Sequence, residues 1–278
     1  MPSHKSNTYE RNTRMSANMS QIDQAIPPER RRDQILTYLS TRDRSSVGEL
    51  SQVLGVSEVT VRKDLDQLEA QGLLTRVHGG AVVSGRGRLE MFFAAREQEH
   101  LEEKRRIAQA AAAIIHSGQR IFLDASTTAL QVARLIKDRE DLVVVTNGLY
   151  TALELNFCEG ITTIVVGGTM RRRSSSLVGS LNHNTLQRLR VDSGFFGARG
   201  VTARDGLMES ELDEAQMKQQ LVSASGLVVG IVDSSKFGAM SFSAFALPHE
   251  IGTIITDTGV AAPIVADLRE RGITVKLV

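Results

Sequence analysis

Apolar positions recur along this chain with two different periods, and the change from one to the other divides it. After Pro27-Pro28 the run "ERRRDQILTYLS" sets Ile35, Leu36 and Leu39 on one stripe at helical spacing, which predicts a first helix. A short second helix is predicted over Val47 to Leu54: Ser46 stands at its cap, Glu49 at the third helical position completes a capping box, and Gly55 ends it. Ser57 caps a third, Glu58 to about Gln71, whose Val61, Leu65 and Leu68 share a face at i, i+4 and i+7 until Gly72 stops it. Leu73 to Val77 and Ala81 to Val83, hinged at His78-Gly79-Gly80, read as a small β-ribbon.

From residue 103 onward the pattern changes. Short Val/Ile-rich runs at 121–124, 142–146, 161–166, 192–197, 227–233, 251–257 and 273–278 alternate with helical patterns at 103–116, 127–137, 149–156, 181–190, 212–225 and 261–271. Such alternation predicts an α/β domain with a largely parallel sheet covered by helices. Residues 1–26, mostly Ser, Asn, Thr, Gln and Met, carry too few large apolar side chains to offset the entropy of ordering. The expected organisation is a disordered tail 1–26, a helical domain with a ribbon at 27–84, a Gly/Arg-led linker at 85–102 and the α/β domain at 103–278.

Three helices and a ribbon in this order form a winged helix-turn-helix, with two helices as frame and the third as probe. Ser57, Thr60, Arg62 and Lys63 lie near the N-terminal end of the third helix, the part that reaches base edges and phosphates in a major groove, and Arg76 and His78 belong to the ribbon. Taken singly, Arg62 and Lys63 read equally well as a solvated face, and Ser57 and Thr60 as simple caps. The ordered set favours double-stranded DNA.

In open parallel sheets ligands bind beyond the carboxyl ends of the strands. There "LDASTTALQVARLI" passes from strand to helix through Asp124-Ala125-Ser126-Thr127-Thr128, placing hydroxyls and backbone N–H groups at a helix N-terminus, where phosphate is favoured and where an ordinary cap is the plainer alternative. Thr146-Asn147 closes the next strand, and Gly167-Gly168 the one after, followed by Arg171, Arg172 and Arg173: glycines for close approach and arginines able to fork onto phosphate, or a turn and a solvated loop. Glu214 and Lys218, four apart on a helix, read as a surface pair, whereas Lys236 follows a strand ending in Asp233 and favours a ligand.

The stretch "SEVTVRKDLDQLEAQGLLTRVHGGAVV" resembles the N-terminal signature of the DeoR family of bacterial sugar-metabolism regulators, with Thr60-Val61-Arg62-Lys63-Asp64-Leu65 as its core. The resemblance runs from about Arg30 to the C-terminus and implies a DNA-binding transcriptional regulator, most often a repressor. Asp124 with Ser126 to Thr128, Thr146-Asn147, Gly167-Gly168, Glu214-Ala215 with Lys218, and Ser235 to Gly238 match its effector-domain motifs, and the implied ligand is a phosphorylated sugar or related metabolite. That effector domain is similar in fold to ribose-5-phosphate isomerases and glucosamine-phosphate deaminases, so a sugar-phosphate isomerase or deaminase with an appended DNA-binding module is the alternative. Isomerisation needs a carboxylate base beside the sugar carbonyl. Here Arg199 follows Gly197-Ala198, where an acid commonly sits; a cation there argues against a base at this position and leaves Asp205, Glu209 and Glu211 nearby uncommitted, with Arg199 a candidate contact for a second anionic group. The chain also reads Met208-Glu209-Ser210-Glu211 where many family members show a Thr-Thr-Pro-Asn-like run.

Composition narrows the chemistry further. With 278 residues and 41% hydrophobic content the chain can bury a core in each of about two domains. A formal charge of +1 leaves DNA-binding charge to local patches. The single Cys158 fits a reducing compartment, and with no apolar run near the roughly 18 residues of a membrane span the expectation is a cytoplasmic protein without membrane contact. The six histidines are scattered without ligand spacing, and neither a Walker loop nor a nucleophile elbow occurs, so no metal, cofactor or catalytic residue is expected. Helix-turn-helix readers pair half-sites, which implies a homo-oligomer.

Overall fold

The computed structural model describes residues 26–40, 42, 44–84, 93–171, 174–179 and 183–278. The expected tail before residue 26, residues 85–92 of the expected linker, and Arg172 and Arg173 lie outside the described residues. The chain forms two compact units, Met1–Met91 and Phe92–Val278.

In the first unit, α1 (Pro28–Ser40), β1 (Arg44–Ser46), α2 (Val47–Leu54), α3 (Glu58–Ala70), β2 (Leu74–Val77) and β3 (Gly80–Val83) follow one another. The apolar stripes converge on one core in which Ile35, Leu39, Leu50, Val61 and Leu65 are fully buried. The capping box forms as expected: the Glu49 amide donates to Ser46 Oγ at 3.2 Å and the Ser46 amide to Glu49 Oε2 at 3.0 Å. Polar residues also pin the helices. The Arg31 guanidinium forks onto Asp64, Nε to Oδ2 at 2.5 Å and Nη2 to Oδ1 at 3.1 Å, tying α1 to α3 through a buried pair. The ribbon is wider than its pattern implies, because the three-residue β1 pairs antiparallel with β3 in the order β1-β3-β2. Three residues are too few to show an alternation.

That pairing explains Gly80. A Cβ there would lie 2.2 Å from the Ser45 carbonyl oxygen, so only glycine lets β3 approach β1 this closely. Gly80→Ala is expected to destabilise the chain by about 1–3 kcal/mol, the usual range for forcing extra volume into a packed site. An unchanged urea midpoint would count against this packing.

The second unit opens with a short helix over residues 93–98. This corrects the linker reading of 85–102. From residue 93 the chain is structured, with the Phe93 ring stacked on Tyr150 at 4.0 Å, and α4 (Leu101–Ala112) starting before residue 103. There follow β4 (Arg120–Leu123), α5 (Thr127–Leu135), β5 (Leu142–Thr146), α6 (Leu149–Leu155), β6 (Ile161–Val165), β7 (Thr169–Arg171), β8 (Ser176–Val178), α7 (His183–Arg188), β9 (Val191–Phe196), β10 (Gly200–Thr202), β11 (Gly206–Glu209), α8 (Leu212–Ala224), β12 (Ser225–Ile231), β13 (Ser243–Ala246), β14 (Thr253–Thr256), α9 (Ala262–Glu270) and β15 (Thr274–Leu277). The seven long apolar runs are the seven strands of one parallel sheet, ordered β15-β14-β12-β9-β4-β5-β6. Ile121, Leu123 and Phe195 pack on one face with α4 and α5, while Phe122 and Phe196 pack on the other with α8 and α9.

The sheet order decides where a ligand can sit. The chain lays β5 and β6 to one side of β4 and then β9, β12, β14 and β15 to the other, so the winding direction reverses between β4 and β9. Helices leave neighbouring strands in opposite directions there, and a crevice opens beyond the strand ends. The β7-β8 hairpin and a three-stranded sheet β10-β11-β13 complete the unit. Their strands of three or four residues are the ones the apolar pattern misses, Met208-Glu209 among them.

Candidate functional site

On the first unit, the expected DNA-contacting residues divide by what they already touch. Ser57 caps α3, its Oγ accepting from the Thr60 amide at 3.2 Å and lying 2.9 Å from Thr60 Oγ1. Arg62 and Lys63 are exposed, with Arg62 Nη2 2.6 Å from Glu58 Oε2, an i,i+4 surface pair of small worth. His78 is exposed in the turn between β2 and β3. Arg76 points back instead: its Nη1 donates to the Arg62 carbonyl at 3.2 Å and to Asp66 Oδ1 at 2.8 Å, fastening the ribbon to α3.

On the second unit a cleft of about 560 Å³ lies at the switch point. Residues following β4 (Ala125 to Thr128), β9 (Gly197 to Arg199) and β12 (Val232, Asp233, Lys236) line it together with Arg171, Glu209, Glu211, Glu214 and Lys218. Ser126 Oγ accepts from the Ala129 amide at 3.1 Å, so the cap and the ligand reading are both available; the first-turn amides of α5 have no partner within the helix and carry its positive dipole end.

Behind this floor Asp124 organises two loops. It accepts from the Ser126 amide at 3.0 Å and the Gly197 amide at 2.9 Å, which fixes the strand ends of β4 and β9 together. Its charge is met by Lys218, whose Nζ lies 2.8 Å from Asp124 Oδ2, 2.6 Å from Glu209 Oε1 and 2.9 Å from the Gly197 carbonyl. Burial alone would push the Lys218 pKa down, but Asp124, Glu209 and Glu214 outweigh it and hold it above the ordinary lysine value. Glu214 meets other partners: Ser176 Oγ at 2.7 Å and Arg171 Nη1 at 2.9 Å, with Asn147 Nδ2 at 3.4 Å. The surface-pair reading of Glu214 and Lys218 is therefore corrected. Both are buried and each serves a separate polar network.

Thr146, Asn147, Gly167 and Gly168 are not among the lining residues. Thr146 and Asn147 are fully buried supports, Thr146 Oγ1 accepting from the Gly148 amide at 3.0 Å, and a Cβ on Gly168 would lie 2.1 Å from the Val178 carbonyl oxygen. Arg199 does reach the wall, Nε 4.0 Å from Glu209 Oε2. Arg96 and Lys104, which no sequence motif marks, line the cleft from the opening stretch of the unit. Isolated cations before a sheet domain carry no periodicity that would have marked them. Burial and the neighbouring Arg199 lower the Arg96 pKa to about 10. The three acids near Arg199 have partners: Asp205 Oδ2 accepts from Thr202 Oγ1 at 2.9 Å, Glu209 Oε1 lies 2.6 Å from Lys218 Nζ, and the exposed Glu211 lies 3.4 Å from Arg171 Nη2.

Residues 31–86 match the DeoR-like helix-turn-helix domain and residues 99–258 the DeoR C terminal sensor domain. The chain belongs to the DeoR family. DeoR-family relatives include the HTH-type transcriptional regulator GlpR of Haloferax volcanii, 39% identical over 90% of this chain and 97% of that protein. The HTH-type transcriptional repressor GlcR of Bacillus subtilis is 31% identical over 80% and 86%, and the L-fucose operon activator of Haemophilus influenzae 34% identical over 80% and 89%. Among solved structures, ribose 5-phosphate isomerase from Plasmodium falciparum aligns at a TM-score of 0.35 and 18% identity, over 48% of this chain and 52% of that one. The DeoR-family relatives are DNA-binding regulators and not enzymes, and this chain is a transcriptional regulator of the same kind. No helix among the described residues is long and apolar enough to cross a membrane.

Proposed function

We propose that this regulator is a cytoplasmic, homo-oligomeric repressor of a carbohydrate-metabolism operon, released from or held on its operator by a phosphorylated sugar or related metabolite in the cleft. The observation that carries the reading is the division of the cleft wall. Hydroxyls and amides at the N-terminus of α5, with Lys236 and Arg199, suit a phosphate, while Glu209, Glu211 and Glu214 offer acceptors for sugar hydroxyls. In this reading Ser126, Thr127, Thr128, Arg171, Arg199, Glu214, Lys218 and Lys236 touch or frame the ligand, and Asp124, Thr146, Asn147, Gly167 and Gly168 hold the loops behind it. Ser57, Thr60, Arg62, Lys63 and His78 contact operator DNA, with Arg76 setting the ribbon against α3. The DNA-binding domain is taken as 27–84.

Repression is supported by the named repressor GlcR, and oligomerisation by the modest specificity that one small module delivers on a single half-site. Ligand and operator are then linked: a sugar that weakens DNA binding by some factor is itself bound more weakly, by that factor, on DNA.

The test is thermal unfolding against a panel of phosphorylated sugars and sugar acids, with inorganic phosphate and the unphosphorylated sugars as controls. A selective ligand at about 100 times its Kd is expected to add about 2.7 kcal/mol and to raise the midpoint accordingly. The same ligand should change the affinity for a selected operator duplex. A panel in which no phosphorylated compound shifts the midpoint would overturn the reading.

A further inference from the structure

Lys104 is only 5% exposed, yet it lies on the wall of the cleft. Its Nζ donates to the carbonyl oxygens of Arg96 and Glu99, and among the described residues no carboxylate lies within 4.0 Å of it. The other two buried cations among the described residues are matched: Lys218 by Asp124 and Glu209, Arg31 by Asp64. An ammonium taken out of water without a counter-ion is costly, and neutral carbonyls offset only part of that cost. Burial accordingly pushes the Lys104 pKa down to about 8; of the charges facing it, Asp233 and Glu99 raise it and Lys236 and Arg96 lower it. An ammonium has three donors, and two are spent on carbonyls, which leaves one for a ligand.

A second cation shares the wall. Arg96 lines the same wall, where burial and Arg199 lower its pKa while Glu209, Glu214 and Glu99 raise it, and an anion bound beside it would offset the repulsion from Arg199. Thr127 Oγ1 donates to the Arg96 carbonyl at 3.5 Å, so the first turn of α5 adjoins the same segment.

We propose that Lys104, with Arg96, binds the tetrahedral oxyanion of the effector, anchoring it on residues 93–104, the stretch through which the chain enters the sensor unit. The inference rests on reading the cleft as a phosphosugar site, and it names the cations that hold the charged group. It also gives the ligand a grip on the segment that follows the DNA-binding unit in sequence.

Sulfate is the probe, because its charge is constant across the pH range in which Lys104 titrates. For the intact protein at constant ionic strength, sulfate binding is expected to weaken about tenfold from pH 7 to pH 9, since only the protonated lysine attracts the anion. Lys104→Met should lose sulfate binding at both pH values, and Lys104→Arg should bind equally at both. A ligand-free control shows whether the lysine is buried as described. A cation whose folded pKa lies below its unfolded value gains the protein stability as pH rises through that interval, so the wild-type midpoint should rise between pH 8 and pH 10 relative to Lys104→Met.

No sulfate binding by the wild type, equal shifts with acetate or chloride, or wild-type-like binding by Lys104→Met would overturn the proposal. Sulfate binding as described, with no phosphorylated sugar active, would support the anion site and remove the sugar reading. A phosphorylated sugar that acts on Lys104→Met as on the wild type would do the reverse.

Discussion

Lys218→Met is expected to cost about 3–5 kcal/mol of stability, the range for breaking a buried ion pair by removing one partner. The side chain is 3% exposed and its charge stands between Asp124 and Glu209, 2.8 and 2.6 Å away. Methionine matches its length but leaves two buried carboxylates with no cation between them. Asp124 would keep the Ser126 and Gly197 amides as donors, so the strand ends of β4 and β9 are expected to hold while the like charges repel. Two features distinguish this from a simple packing defect. The deficit should shrink as pH falls, because protonating either carboxylate removes an unpaired charge, and Glu209→Gln added to Lys218→Met should restore part of it. Denaturant unfolding at pH 7.5 and pH 5 reads both. A deficit below about 1 kcal/mol, or one that does not change with pH, would mean that water reaches this cluster and that it is not the floor of a closed polar network.

The legibility of the chain tracks the length of its elements. All seven strands of the parallel sheet stand out because their apolar runs, buried on both faces in the central strands, need no register argument, and the helix caps at Ser46, Ser57 and Ser126 announce themselves by residue type. The strands β1, β7, β8, β10, β11 and β13 do not: three or four residues without a Val/Ile run show no clear period, and β1 is set by β3, some forty residues further along the chain. The site followed the same rule. Residues directly after a strand, Ser126 to Thr128, Arg199 and Lys236, are found by asking where strands end. Lys104, in the first turn of α4, and Arg96, in the short helix before it, reach the cleft only through tertiary packing, which leaves no local trace. Glu214 and Lys218 show the converse: spacing of four on a helix alone suggests a surface pair, yet α8 is buried along the side that carries both, and their partners come from the residue after β4 and from β7, β8 and β11.

Arg62→Ala with Lys63→Ala is expected to abolish discrimination between operator and random duplex while leaving the fold intact. Both side chains are exposed, and Arg62 makes only a surface pair with Glu58, so their removal should change stability by less than about 0.5 kcal/mol. In the proposed reading their place near the N-terminus of α3 faces base edges, and a good bidentate base contact discriminates by about 1–3 kcal/mol. If the proposed homo-oligomer sets one reader on each of two half-sites, each loss counts once per half-site, and a defect of roughly 100-fold or more in operator affinity is expected. The experiment titrates wild type and variant on duplexes that the wild type has selected from a random pool, across a salt series. If one of the two cations touches a phosphate, the slope of log affinity against log salt should fall by about 0.9 for each phosphate no longer neutralised. A base-reading residue would instead reduce selectivity with little change in slope. Arg76 provides the contrast, because its guanidinium is already committed to Asp66 and the Arg62 carbonyl. Arg76→Ala should weaken operator and random duplex alike by loosening the ribbon. A double variant that keeps full selectivity would move the reading surface off α3, and the exposed turn at His78 would then be the part of the ribbon to change next.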